Sequence, residues 1–262
     1  MPNVGEIRPR FSVLRVPVDA VQIPDVVTWI ETQIERRSGC RFIAVTGMHG
    51  VVEAQHDVSF LETLRQADLV VPDGMPLVWF ARKHGFALRR RVYGPELLET
   101  FCHVTGGRYR HFFYGGARGV AERLADHLLQ KYGVSVAGCY APPFRALNSC
   151  EDDEIVNLIH ESGADVVWVG LSTPKQERWM HQHRNSLRVP VLVGVGAAFD
   201  LLIGRVRQAP AWMQESGLEW FFRLLQEPQR LWRRYLIYGS EFAWKASLEV
   251  LGFEKFDSDS FR

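Results

Sequence analysis

The sequence predicts an α/β fold: a Rossmann-like, mostly parallel sheet with helices on both faces, followed by a helical C-terminal appendage. Three observations carry this. Runs rich in β-branched and aromatic residues alternate with helical patterns from about Arg41 onward. Most of these runs end in a turn containing Gly, Pro or Asp, the punctuation of strand-to-helix connections. After Pro210 the composition shifts, and the segment Trp212 to Trp244 holds four of the eight tryptophans beside Arg223, Arg230, Arg233 and Arg234. The division expected from this shift is an α/β domain over residues 1–209 and an appendage over 210–262 whose tail frays.

Taken in order, Phe11 to Asp19 reads as a small hairpin. Strands follow near Phe42 to Thr46, Leu69 to Val71, His111 to Tyr114, Ser135 to Cys139, Val166 to Gly170 and Val191 to Val195. Helices are expected over Met75 to Lys83, Glu122 to Tyr132 and Glu151 to His160. The last opens with four acidic residues, which suit a helix N-terminus. Adjacent carboxylates on a helix diverge, so Asp152, Asp153 and Glu154 point to dipole and solvation roles rather than to a metal site. Pro228 separates a helix ending near Glu227 from one beginning near Gln229. In the second, Leu231, Tyr235, Tyr238 and Phe242 form an apolar stripe flanked by arginines. Such a stripe either packs on the α/β core or another subunit, or lies on an anionic membrane surface.

Composition bounds the function. With 31 Lys and Arg against 30 Asp and Glu, the net charge of +1 provides no field to gather a polyanion, so nucleic acid is not an expected partner. Hydrophobic residues at 47% and charged residues at 23% suffice for a core and exclude disorder as the main state. The four cysteines form no CxxC pair, as suits a reducing compartment. Met1 to Arg10 has charge and two prolines where a secretory signal needs an apolar run, so a cytoplasmic location is expected. Val189 to Gly204, interrupted by Asp200, falls short of the about 18 to 20 apolar residues that span a bilayer.

In sheets of this kind ligands bind beyond the carboxyl ends of the strands, and three turns there could carry chemistry. In Pro72-Asp73-Gly74-Met75-Pro76 a carboxylate at a strand end lies beside a glycine. It can take a proton from an attacking hydroxyl, or merely cap the helix from Met75. In Gly170-Leu171-Ser172-Thr173-Pro174-Lys175-Gln176 a Ser/Thr cap with Pro at the first helical position exposes backbone amides to a phosphate or a uracil edge. Gln176 adds a donor and an acceptor. Tyr114-Gly115-Gly116-Ala117-Arg118-Gly119 fits neither GxGxxG nor GxxxxGK[ST], and reads as a tight turn that lets helix pack on strand, with a phosphate-facing role as the alternative. His181-Gln182-His183 lacks a third ligand, and Asp257-Ser258-Asp259 lies in the polar tail, so no metal and no cofactor are expected.

Together these motifs resemble the WecG/TagA/CpsF family of bacterial glycosyltransferases over roughly Phe11 to Arg234. The resemblance is carried by Ala67-Asp68-Leu69 leading to Pro72-Asp73-Gly74-Met75, by Arg91-Val92-Tyr93-Gly94-Pro95-Glu96-Leu97 and by Phe113-Tyr114-Gly115-Gly116. It continues through Gly170 to Glu177, Gly194-Val195-Gly196-Ala197-Ala198-Phe199-Asp200 with Gly204, Ala209-Pro210, Gly217-Leu218-Glu219-Trp220 and Glu227-Pro228. It implies an inverting, metal-independent enzyme that moves a sugar from a UDP-sugar to an undecaprenyl-diphosphate-linked saccharide at the cytoplasmic membrane face, in cell-surface polysaccharide assembly. By the same resemblance Asp73 is the general base, Thr46 and Arg91 line the reaction centre, and Gln176 contacts the donor. Gly115, Gly116, Gly170, Gly196 and Asp200 fall in the substrate-binding motifs. Arg223, Arg230, Arg233 and Arg234 belong to a membrane-docking appendage that completes the site, which shifts the aromatic and basic segment towards membrane contact.

One departure stands out. The family commonly has Thr-x-Asn at the end of the early strand, whereas this chain has Thr46-Gly47-Met48-His49. A thioether cannot replace the amide's hydrogen bonds, so either His49 takes that part or the donor or acceptor differs. N-acetylmannosamine, its uronic acid and a hexose all fit the motifs as the transferred sugar, and a homo-oligomer is compatible with them. Two readings from other classes are a sugar-nucleotide-binding membrane adaptor without catalysis, and an oxidoreductase, for which the dinucleotide loop is lacking.

Overall fold

The computed structural model describes residues 8–252, without the side chains of Ala211, Glu215 and Arg230. The chain begins with an antiparallel hairpin, β1 (Arg10–Val13) and β2 (Val16–Asp19), then α1 (Ile23–Arg36). Next come β3 (Arg41–Thr46), α2 (Met48–His56), α3 (Val58–Arg65), β4 (Leu69–Pro72), α4 (Met75–Lys83) and α5 (Gly94–Thr105). The second half of the sheet is built by β5 (Arg110–Gly115), α6 (Val120–Tyr132), β6 (Ser135–Tyr140), α7 (Ser149–Ser162), β7 (Val166–Gly170), α8 (Lys175–His183), β8 (Val191–Gly194) and α9 (Ala198–Leu202). Four further helices follow: α10 (Ala211–Glu215), α11 (Glu219–Gln226), α12 (Pro228–Trp232) and, after a π-helical turn over Arg233–Ile237, α13 (Tyr238–Val250).

The six strands from β3 onward form one parallel sheet in the order β4-β3-β8-β7-β5-β6. Both faces are covered, as an all-parallel sheet requires. Phe42, Ala44, Val70, Val167 and Leu192 contribute to the core on one side, and Ile43, Val45, Val71, Trp168 and Val193 to the core on the other. The α/β architecture and the hairpin therefore stand as the sequence predicts. The acidic start of α7 acquires a feature the composition does not reveal: Asn148 accepts from the Glu151 amide while the Glu151 carboxylate accepts from the Asn148 amide, a reciprocal cap. Asp152, expected to be merely solvated, pairs with His183 at 2.8 Å.

The hairpin closes one border of the sheet. Buried Asp19 accepts from the Val70 amide of β4 at 2.8 Å and is paired with Arg10. The Pro72 carbonyl on the same strand accepts from the Val92 amide at 2.8 Å.

The apolar stripe expected to meet a membrane faces inward instead. Leu231 and Phe242 are buried, and Tyr238 stacks on His49 of α2 with ring centroids 5.3 Å apart. His56 of α2 also meets Glu241 at 2.9 Å. The large apolar side chains left in solvent are a different set, Trp232, Leu236, Ile237, Trp244 and Leu251. They alternate with the stripe around the helix, so both faces of this segment are apolar. No helix among the described residues is long and apolar enough to cross a membrane.

Candidate active site

Three cavities lie in a row along the carboxyl edge of the sheet. The middle one, about 620 Å³, lies between the turns after β3, β7 and β8 and is lined by Gly47, Asp73, Ser172, Gln176, Gly196 and Arg234 among others. A smaller one of about 290 Å³ opens over β4, between α4 and α11. A third of about 750 Å³ lies over β7 and β5, beside the loop before α7.

Asp73 lines both the middle and the small cavity. It is not the cap of α4, because Gly74 holds that position and no side chain caps the helix. Gly74 has φ +107, a conformation an L side chain rarely adopts, and this turns the chain sharply at the sheet edge. The Asp73 carboxylate accepts no hydrogen bond from the described residues, and burial holds its pKa above the ordinary carboxylate value. Arg91, Arg234 and Arg223 oppose that rise electrostatically and Glu219 reinforces it.

Arg91 lines the small cavity and is locked in place. It pairs with Glu219 of α11 and lies over the Tyr93 ring at 4.0 Å, while the Tyr93 hydroxyl donates to the same carboxylate at 2.8 Å. Burial works against the Arg91 charge, but Asp73 and Glu219 outweigh it and keep the guanidinium firmly protonated. Glu219 and Tyr93 stand in quoted motifs, yet nothing in their local pattern announces this pairing. They are 126 residues apart in the chain.

The other expected residues separate into groups. Thr46 ends β3 but is fully buried beneath the cavities, its hydroxyl without a partner among the described residues. Gly196 and His49 line the middle cavity, and His49 the small one too. Burial, with Arg234 nearby, pushes the His49 pKa down to about 3, so its ring is neutral. Gln176 reaches the middle cavity, but its amide is largely spoken for. Its oxygen accepts from the Gly196 amide at 2.9 Å and its nitrogen donates to Glu177 at 3.0 Å. Gln176 thus ties the turn after β8 to the start of α8 rather than offering a free pair of groups.

The turn before α8 differs from the expected Ser/Thr cap with Pro at the first helical position. The helix starts at Lys175, Pro174 holds the cap position after a cis peptide, and the Thr173 hydroxyl donates to the Glu177 carboxylate at 2.8 Å. Glu177 is fully buried, and burial raises its pKa. A Glu in a first helical turn ordinarily faces solvent, so the local pattern gives no sign of this burial.

Gly116, Gly170 and Asp200 line the largest cavity, not the one at Asp73. Gly115 lines neither. It permits the close packing read from the sequence, since a Cβ there would come 2.6 Å from the Gly170 carbonyl oxygen. Of the appendage arginines, Arg223 and Arg234 line both cavities at Asp73 and Arg233 lines the middle one. The Arg230 side chain lies outside the described residues. No group of three or more His, Cys, Asp or Glu among the described residues could hold a metal ion. Asp257-Ser258-Asp259 lies outside the described residues.

A carboxylate that accepts no hydrogen bond from the described residues thus stands beside the guanidiniums of Arg91, Arg223 and Arg234 at the carboxyl edge of the sheet. The family model described as the glycosyl transferase WecG/TagA/CpsF family matches residues 11–255, and the chain belongs to that family. It is a glycosyltransferase, which sets aside the adaptor and oxidoreductase readings. Its curated relatives include three proteins named N-acetylglucosaminyldiphosphoundecaprenol N-acetyl-beta-D-mannosaminyltransferase. The one from Bacillus spizizenii is 29% identical over 217 residues, 82% of each chain. That of Bacillus subtilis is 29% identical over 183 residues, 69% of each chain. One from Staphylococcus aureus is 26% identical over 225 residues, 86% of this chain and 87% of the relative.

Proposed function

We propose that this glycosyltransferase moves a sugar, N-acetylmannosamine first among the candidates, from UDP to a saccharide carried on undecaprenyl diphosphate. The reading is supported by the names of the relatives. The observation that carries it is the position of Asp73 between two cavities, its carboxylate without a hydrogen-bond partner among the described residues and with a raised pKa. Gly116, Gly170 and Asp200 support a nucleoside place in the largest cavity, and Gly196 and the Ser172 turn a path for the diphosphate into the middle one. The acceptor hydroxyl gives its proton to the Asp73 carboxylate. Its oxygen bonds to the anomeric carbon as the bond to the β-phosphate oxygen breaks, the electron pair leaves with UDP, and configuration inverts. Arg223 and Arg234 face the charge that builds on the diphosphate.

The test is incubation with a panel of UDP-sugars and a prenyl-diphosphate-linked N-acetylglucosamine, read by mass spectrometry. UDP-N-acetylmannosamine is expected to add one N-acetylhexosamine. If no UDP-sugar extends the acceptor, the reading is lost.

The same reading places the protein peripherally at the cytoplasmic membrane face, with residues 210–262 as the contacting appendage. The support is the exposed apolar set from Trp232 to Leu251, rather than the stripe read from the sequence. Leu236→Glu with Trp244→Glu should reduce cosedimentation with phosphatidylglycerol vesicles severalfold, because each carries large exposed apolar surface. Unchanged cosedimentation would count against this placement.

A further inference from the structure

We infer that the 290 Å³ cavity between α4 and α11 is the subsite for the acceptor's terminal sugar, with the Trp79 ring as its apolar floor. This rests on the transfer reaction proposed above and adds where its second substrate enters.

The cavities follow one another in a fixed order. The largest and middle cavities share Ser172; the middle and small ones share Gly47, His49, Asp73, Tyr93, Arg223 and Arg234. The largest and the small cavity share no lining residue. A donor with its nucleoside in the largest cavity must therefore point its sugar towards Asp73 from one side. Inverting displacement needs the attacking oxygen on the opposite side of the anomeric carbon from the leaving diphosphate. Of the three cavities described, the small one reaches Asp73 from there.

The lining suits a saccharide. A sugar ring presents an apolar C–H face and a polar rim, and sites for such ligands combine aromatic surface with a few fixed polar groups. Trp79 is 51% exposed and Trp220 37%, so both rings keep open surface where they line the cavity, and Asp73 and the Arg91–Glu219 pair supply the polar rim. Gly217 explains why the Trp79 ring stays in place. At φ +78, a Cβ there would come 3.2 Å from the ring's Cη2, so the turn before α11 lies directly against it. The motif Gly217-Leu218-Glu219-Trp220 thereby gains a role. Glu219 fastens the turn to Arg91 and Tyr93, Gly217 holds the floor, and Trp220 forms a wall. Met48, the departure from the family pattern, also lines this cavity, so it bears on the acceptor.

The test is steady-state kinetics of Trp79→Ala, Trp79→Phe and Trp220→Ala, with UDP-N-acetylmannosamine and a short-chain prenyl-diphosphate-linked N-acetylglucosamine. Trp79→Ala should raise the acceptor KM about three- to tenfold, the equivalent of one lost aromatic contact, with the donor KM unmoved. Trp79→Phe, which keeps a ring face, should recover most of that loss. An acceptor KM unmoved in both alanine variants while the wild type turns over would overturn the subsite alone. So would a rise confined to the donor KM. Failure of the wild type to use any prenyl-diphosphate acceptor would overturn the subsite and the proposed reaction together.

Discussion

Asp73→Asn is expected to lower transfer by about 10²–10⁴, the usual contribution of a positioned general base, while UDP still binds. The amide has the carboxylate's shape but cannot take a proton, so only the step that needs the base is lost. The fold should survive the change. Because burial raises the Asp73 pKa, the folded state holds this proton more tightly than the unfolded chain does. Its contribution to stability is present below the ordinary carboxylate pKa and is lost as pH rises through the higher folded-state value. Above that folded-state value the ionised side chain works against folding, and Asn, which never ionises, should there leave the melting temperature unchanged or raised. The wild-type rate should climb with pH through that same raised pKa. His49, with its pKa pushed down to about 3, contributes no limb near neutrality. A variant that retained wild-type turnover would remove Asp73 from the chemistry.

Glu219→Ala should cost the protein most in stability. The Arg91 and Glu219 side chains are only 14% and 8% exposed. Removing the acid strands a buried guanidinium and the Tyr93 hydroxyl together, and breaking such a pair costs about 3–5 kcal/mol. At roughly 2–4 °C per kcal/mol for chains near this size, thermal denaturation should show it clearly. The double replacement Arg91→Met with Glu219→Leu removes both charges and should recover much of that loss, yet remain inactive if Arg91 serves the reaction. If Glu219→Ala melted like the wild type, the pair would have no structural weight.

The strands and the carboxyl-edge turns were legible because their cause is local. β-Branched runs such as Arg41–Thr46 and Val191–Gly194 are buried on both faces, and Gly74 and Pro76 mark where the chain must turn. Asp73 was legible for the same reason. Glu219, Tyr93 and Glu177 were not, since their importance comes from burial and from partners that pattern alone does not reveal. The C-terminal segment shows the limit of periodicity most clearly. Leu231, Tyr235, Tyr238 and Phe242 do share a face, but Trp232, Leu236 and Trp244 make a second one. Nothing in the spacing says which is packed, and α2 decides it through His49 and His56. Likewise the arginines could be counted in the sequence, but not divided between cleft and surface.

Asp19 and Pro72 together govern what a crowded solution of this protein can do. Strand addition needs a ladder of unspent backbone donors and acceptors along a border. On β4 the Val70 amide is given to a carboxylate, Pro72 has no N–H, and its carbonyl is taken by Val92. A foreign backbone finds no zipper there. Cross-chain polymerisation of the native fold is thereby turned away from this margin and left, if anywhere, to β6.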